Sequence, residues 1–216
     1  MLCPPRKEID ILGSLYHIDD PFDCNKIFSN LLCEFTGAKY VVLTDSCTHA
    51  LELVIRAIGS FRHFKIPTQT YLSVPFTLIK LGHSFCFDDI AWENWYYLDK
   101  EKQIIDSAAY FQRNMYIPGT FMCLSFQCKK AISVGRGGAI LFDDETLYPV
   151  LDKMKYDGRS LTCPWADETD IDMVGYHYYM TPEDAARGAL LLLDGPKNKS
   201  VSYKNYPDLR KFTVFK

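Results

Sequence analysis

The chain has 216 residues, 48% of them hydrophobic, which is enough to bury one substantial core and makes a single domain over residues 1–216 the expectation. Its formal net charge of −3 gives no electrostatic case for nucleic acid or an anionic membrane surface as partner. No apolar run approaches the roughly 20 residues that cross a bilayer, and Met1–Glu8 lacks the ordered regions of a secretion signal.

Short apolar runs alternate with amphipathic stretches along the chain. Lys39–Thr44 reads as a buried strand, and Thr48–Gly59 as the helix after it, with Leu51, Val54, Ile55 and Ile58 on one face. A second pair follows: a strand around Ile66, then a helix from Ser73 to Leu81, then a strand at Ser84–Asp88. Gln103–Asp106, Met122–Phe126 and Ala139–Phe142 are further strand candidates. Thr146–Tyr156 has the stripe of a helix, ended by Asp157-Gly158, and Ser160–Gly175 reads as a long polar loop. The last helix opens at Thr181-Pro182-Glu183-Asp184, where Thr181 caps and Pro182 takes the first position. Strands separated by helices argue for an α/β fold with a mostly parallel sheet flanked by helices. The eight cysteines, at positions 3, 24, 33, 47, 86, 123, 128 and 163, show no CxxC spacing. They read as reduced thiols of a cytoplasmic protein, with no metal site.

Three segments carry candidate chemistry. Asp45-Ser46-Cys47-Thr48 lies where a strand passes into a helix. Hydroxyls and backbone N–H groups at a helix start suit an anion such as a phosphate, although Ser46 or Thr48 can equally be a helix cap. Cys47 with His49 also raises a thiol nucleophile, but residues two apart on a helix face away from each other. In Cys123–Lys130 a lysine stands just past an apolar strand, where desolvation favours the neutral amine that Schiff-base chemistry needs. A surface lysine pair before a glycine turn is the plainer alternative. Gly135-Arg136-Gly137-Gly138 leads into a strand rather than a helix, so it reads as a tight turn beside a ligand and not as a dinucleotide loop. Asp106 ends the apolar run Ile104-Ile105, where a carboxylate needs a hydrogen-bonding or cationic partner such as a pyridinium nitrogen. A turn or cap aspartate is the alternative there.

Taken in order, these segments resemble the DegT/StrS family of aminotransferases, which use pyridoxal 5′-phosphate (PLP) and act on nucleotide-linked keto sugars. Phe35–Val42 is similar to that family's "TGAKYAV" strand, and Ser46-Cys47-Thr48 falls on its Ser-Gly-Thr phosphate motif. Pro67–Tyr71 is similar to "PSFTF", which makes Tyr71 the aromatic stacked on the cofactor ring. Asp106 falls on the aspartate that meets the pyridine nitrogen. Ser125 falls on the phosphate-contacting serine of "SFHPTK", with Gln127 after it and Lys130 on the Schiff-base lysine. Gly135, Gly137 and Gly138 follow "GEGG", and Gly175–Met180 follows "GYNYRM".

The resemblance covers roughly Phe35–Leu193 and implies the large domain of PLP-dependent transferase fold type I, with the small C-terminal domain largely absent after about residue 193. It implies amino transfer from a small donor such as glutamate to a keto acceptor, through a Schiff base on Lys130, in a cytoplasmic homodimer with a shared site. Dehydration or epimerisation on the same cofactor, or a non-catalytic scaffold, are the other readings. Departures are Cys47 for a glycine, Ala109 for Gln or His, Arg136 for Glu, and His177 and Tyr179 for Asn and Arg. The Asn of that motif reaches the partner's phosphate, so the resemblance puts His177 there. With so little chain after Leu193, the site is expected to be open on its outer side. The Ala185, Ala189, Leu190 and Leu193 stripe is expected to lie exposed on a lone chain and to be covered by a second copy.

Overall fold

The computed structural model describes residues 6–59, 63–160, 163–169, 171–197 and 200–216. In chain order the first half contains α1 (Lys7–Gly13), α2 (Asp23–Thr36), β1 (Tyr40–Thr44), α3 (Cys47–Ala57), β2 (Phe64–Pro67) and α4 (Ser73–Lys80). The second half contains β3 (Phe85–Asp88), β4 (Tyr96–Asp99), β5 (Ile104–Asp106), β6 (Phe121–Ser125), β7 (Gly138–Phe142), α5 (Tyr148–Met154) and α6 (Pro182–Asp194). The expected strands and helices from Lys39 onward are therefore present, with ends that differ by a residue or two. α1, α2 and β4 are additions to them.

Successive side chains of a strand point to opposite faces, and here both faces of the main sheet are covered. Val41, Leu43, Ile105, Met122, Leu124, Ala139 and Leu141 pack on one side with α1, α2 and α6. Val42, Ile104, Cys123, Ile140 and Phe142 pack on the other with α3, α4 and α5. That two-sided burial makes these strands read as unbroken apolar runs.

The same runs suggested a mostly parallel sheet, and here the structure differs. The five strands lie in the order β1-β7-β6-β5-β4, and only β5 and β6 run parallel. β1 with β7, β6 with β7 and β4 with β5 are antiparallel, while β2 and β3 form a separate parallel pair. The connections give the reason. A parallel neighbour needs a crossover of a dozen or more residues, usually helical. β4 reaches β5 by the tight turn after Asp99, and β6 reaches β7 through a loop with no helix in it. The fold class is α/β with a mixed sheet.

α6 begins as expected, with the Thr181 hydroxyl accepting from the Asp184 N–H at 3.2 Å. Its apolar stripe is not at the surface. Ala185 and Ala189 are fully buried in the core shared with Phe28 and Leu32 of α2, and only Leu193, 48% exposed, faces outward. Small residues let the two helices approach closely, so this chain covers the stripe by itself. The seven cysteines among the described residues are free thiols; Cys3 lies outside them. No helix among the described residues is long and apolar enough to cross a membrane.

Candidate active site

The carboxyl end of β1, the start of α3, the end of β5 and the loop after β6 converge on one cavity of about 610 Å³. Eight of the nine expected site residues line it: Ser46, Cys47, Thr48, Tyr71, Asp106, Ser125, Gln127 and Lys130. His177 does not. It sits at an exposed bridge with Tyr156, its Nδ1 is 3.0 Å from Asp157 Oδ2, and its ring packs edge-on to Tyr179.

The phosphate-type loop is built at the start of α3. Ser46 is extended at the N-cap, and its Oγ accepts from the His49 N–H at 3.2 Å and donates to Asp45 Oδ1 at 3.1 Å. The Thr48 hydroxyl donates to Ser73 Oγ at 2.8 Å, tying this turn to the start of α4. Ser46 is thus a cap, a role compatible with an anion site, because the first N–H groups of any helix lack intrahelical partners. Asp45 also accepts from Arg136 at 2.7 Å, which places a counter-charge against the arginine that departs from the family pattern. Gly137 bridges Ser46, and a Cβ on Gly138 would lie 2.4 Å from the Ser46 carbonyl carbon. The glycine turn after the lysine loop therefore presses backbone to backbone against the anion loop.

Cys47 is no nucleophile. Its side chain is buried, and burial, reinforced by the charge of Asp106, pushes the thiol well above its ordinary range. His49 instead meets Asp45 through Nδ1 and stacks on Tyr178 at 3.6 Å between ring centroids.

Lys130 follows β6 in a turn closed by its own N–H donating to the Gln127 carbonyl at 2.8 Å. Buried Phe126, Ile132 and Val134 anchor the loop and hold the half-buried Lys130 at the cavity; Lys129 also borders the cavity but is exposed. Asp106 forms the floor. Its Oδ2 accepts from the Tyr96 hydroxyl at 2.7 Å and its Oδ1 from the Ala108 N–H at 3.0 Å. Burial raises its carboxyl pKa, opposed by those two hydrogen bonds and by the charge of Lys130. Tyr96, itself pushed well up by burial and by Asp106, also meets Thr70 Oγ1 at 2.7 Å. Tyr71 lies at the rim, 62% exposed.

Sequence reasoning missed Tyr96, Trp92, Asn205 and Tyr206, which also line the cavity. The aromatic run Trp95-Tyr96-Tyr97 opposite the Asp106 strand was a usable signal for Tyr96; nothing local marks Tyr206. The last two come from the segment after α6, which therefore supplies part of the cavity wall.

The donor set fits PLP. A primary amine, a buried carboxylate and a helix start with hydroxyls open onto one space, and their chemistry matches an aldehyde, a ring nitrogen and a phosphate.

No curated protein sequence matches the chain. Among solved structures it is similar in fold to PseC of Helicobacter pylori, an aminotransferase involved in the biosynthesis of pseudoaminic acid. That match has 18% identity and a TM-score of 0.69 over 90% of this chain and 64% of the other. AtS13 of Actinomadura melliaura matches with 18% identity and a TM-score of 0.70 over 88% and 64%. An aminotransferase of Brucella abortus matches with 16% identity and a TM-score of 0.67 over 86% and 62%. The chain thus spans less than two thirds of the length of these structures. The model of the DegT/DnrJ/EryC1/StrS aminotransferase family matches residues 20–105 and 107–194, most of the sequence, and the chain belongs to that family.

Proposed function

We propose that the chain is a PLP-dependent aminotransferase that moves an amino group from a small donor such as glutamate to a keto acceptor, with nucleotide-linked keto sugars as the acceptor class. One observation carries the reading: Lys130, from the loop after β6, and Asp106, at the end of β5, open onto the same cavity as the hydroxyl-bearing start of α3. PLP, when bound, supplies an aldehyde carbon and an electron-accepting ring. Lys130 would hold that carbon until the donor's amine displaces it, and would then carry a proton from the substrate's α-carbon to the cofactor's carbon, as base and then acid. Asp106 keeps the ring nitrogen protonated, and Tyr71 packs beside the ring. Ser46, Thr48, Ser125 and the N–H groups around Cys47 hold the phosphate, with Gln127 bordering it.

A cytoplasmic homodimer belongs to the same proposal. Free thiols suit a reducing compartment. His177 is exposed and does not line its own cavity, so a second copy's site is the one it would serve.

The test is chemical. PLP is added to the purified chain, reduced with borohydride, and the labelled peptide is mapped. The label is expected on Lys130; a label on Lys129 would overturn the assignment. Stopped-flow absorption with glutamate then reads the half-reaction, and no spectral change with any common amino acid would overturn the aminotransferase reading.

A further inference from the structure

The segment after α6 returns across the cavity and is fixed at several points. The Asn94 N–H donates to the Val201 carbonyl at 2.7 Å, and the Tyr203 N–H to the Trp92 carbonyl at 3.1 Å. Ser202 and Asn205 cap each other around the short turn Tyr203–Asn205. Farther on, Leu209 is buried and its N–H donates to the Thr68 carbonyl at 2.9 Å. Phe215 packs among Phe76, Phe85 and Phe87.

Between those anchors lies Tyr206. Its carbonyl accepts from Gln69 Nε2 at 2.8 Å, and its ring lies 5.5 Å from that of Trp92, which in turn lies 5.3 Å from Tyr96, the donor to Asp106. It lines the cavity and is partly buried, whereas Tyr71, which also lines it, is mostly exposed. Burial raises the phenol pKa of Tyr206, and the charges of Asp106 and Cys47 add to this.

We propose that Tyr206 is a positioning residue of this site, its ring forming the wall against which the bound cofactor ring packs, so that the segment Val201–Leu209 retains the cofactor. The inference rests on the PLP reading above. Trp92 and the backbone bonds hold Tyr206 in place without any ligand, so the wall is preformed and its contact is not offset by an ordering cost.

The experiment is a PLP titration of the whole chain followed by visible absorption, in the wild type, Tyr206→Phe and Tyr206→Ala. Tyr206→Ala is expected to weaken retention by about tenfold, the scale of one aromatic contact. Tyr206→Phe should stay within about twofold, because the ring and not the hydroxyl makes the wall. A second readout needs no variant and no turnover. Trypsin cleavage at the exposed Lys204, Arg210 and Lys211 should slow when PLP is added to the wild type. Equal retention in Tyr206→Ala and wild type, equal loss in both variants, or cleavage indifferent to PLP would each overturn the proposal while leaving the PLP reading intact. A wild type that takes up no PLP at Lys130 would overturn both.

Discussion

Tyr96 and Asp106 stand opposite each other in the β4–β5 pair, and the phenol O–H reaches the carboxylate at 2.7 Å. Both side chains are buried, so Asp106 is a carboxylate held away from water by one side-chain donor, one backbone donor and the nearby charge of Lys130. Such a group costs free energy to ionise, a cost that a cationic partner would offset.

Asp106→Asn should therefore stabilise the chain without cofactor while crippling the site. The folded-state pKa of Asp106 is raised, so in the range between its unfolded and folded pKa values the native state binds more protons than the unfolded one. The Asp106 contribution to stability then falls as pH rises through that range, by about 1.4 kcal/mol for each pH unit that separates the two values. The melting-temperature advantage of Asp106→Asn should be largest near neutral pH and fade on acidification toward the ordinary carboxylate range. Because the two variants are compared at each pH, the depressed carboxyls of Asp23 and Glu8 cancel. In the loaded protein, the same change should cut amino transfer by more than about tenfold. A pH-independent difference would remove the buried-charge account.

Gly138→Ala tests how tightly the two loops are pressed together. The added Cβ would meet the Ser46 carbonyl carbon at 2.4 Å and the Cys47 nitrogen at 2.5 Å, and both are backbone atoms that cannot rotate away. Overpacking of this kind costs about 1–3 kcal/mol, so the melting temperature should fall by several degrees and PLP affinity should fall with it. An unchanged melting temperature would mean that β7 and the start of α3 are not in contact.

The thiols give a third outcome. Cys128 is exposed, whereas Cys24, pushed up to about 11 by burial, and the buried Cys47 and Cys123 are not. A thiol reagent at neutral pH followed by peptide mapping should label Cys128 first and leave those three untouched until denaturant is added. Rapid labelling of Cys47 would restore it as a nucleophile candidate.

Much of this site was legible because its parts are local. The Ser46 cap, the Asp106 strand end and the Lys130 turn each sit at a boundary between apolar periodicity and polar residues, and the structure brings all three together. What the sequence hides is nonlocal. Strand direction depends on whether a connection carries a helix, and two-sided burial looks alike in parallel and antiparallel strands. β4 is a short aromatic run with a register shift after Tyr97, too brief to show alternation. α2 has a readable pattern, since Cys24, Phe28, Leu32 and Thr36 recur every four residues and all are buried. Tyr206 had no local sign at all: it belongs to the cavity only because Leu209 and Phe215 anchor the segment that carries it.

The apolar surface offered to a second copy lies on α4 and the two residues before it, and not on α6. Tyr71 is 62% exposed, Leu72 39%, Phe76 39% and Ile79 52%, beside the mouth of the cavity. The inward residues of α4, Val74 and Leu78, are buried, so the exposed set is a face and not a frayed helix. An apolar face of this kind on one chain marks an interaction site. Sedimentation at micromolar concentration should show a homodimer, and Ile79→Glu should shift it toward monomer with little loss of melting temperature, because that side chain is 52% exposed and outside the buried core. If one copy's His177 reaches the other's phosphate site, His177→Ala should weaken PLP binding in the dimer and leave it unchanged in the Ile79→Glu monomer. A monomeric wild type that binds PLP as tightly as any dimer would remove the shared site, and the assignment of His177 with it.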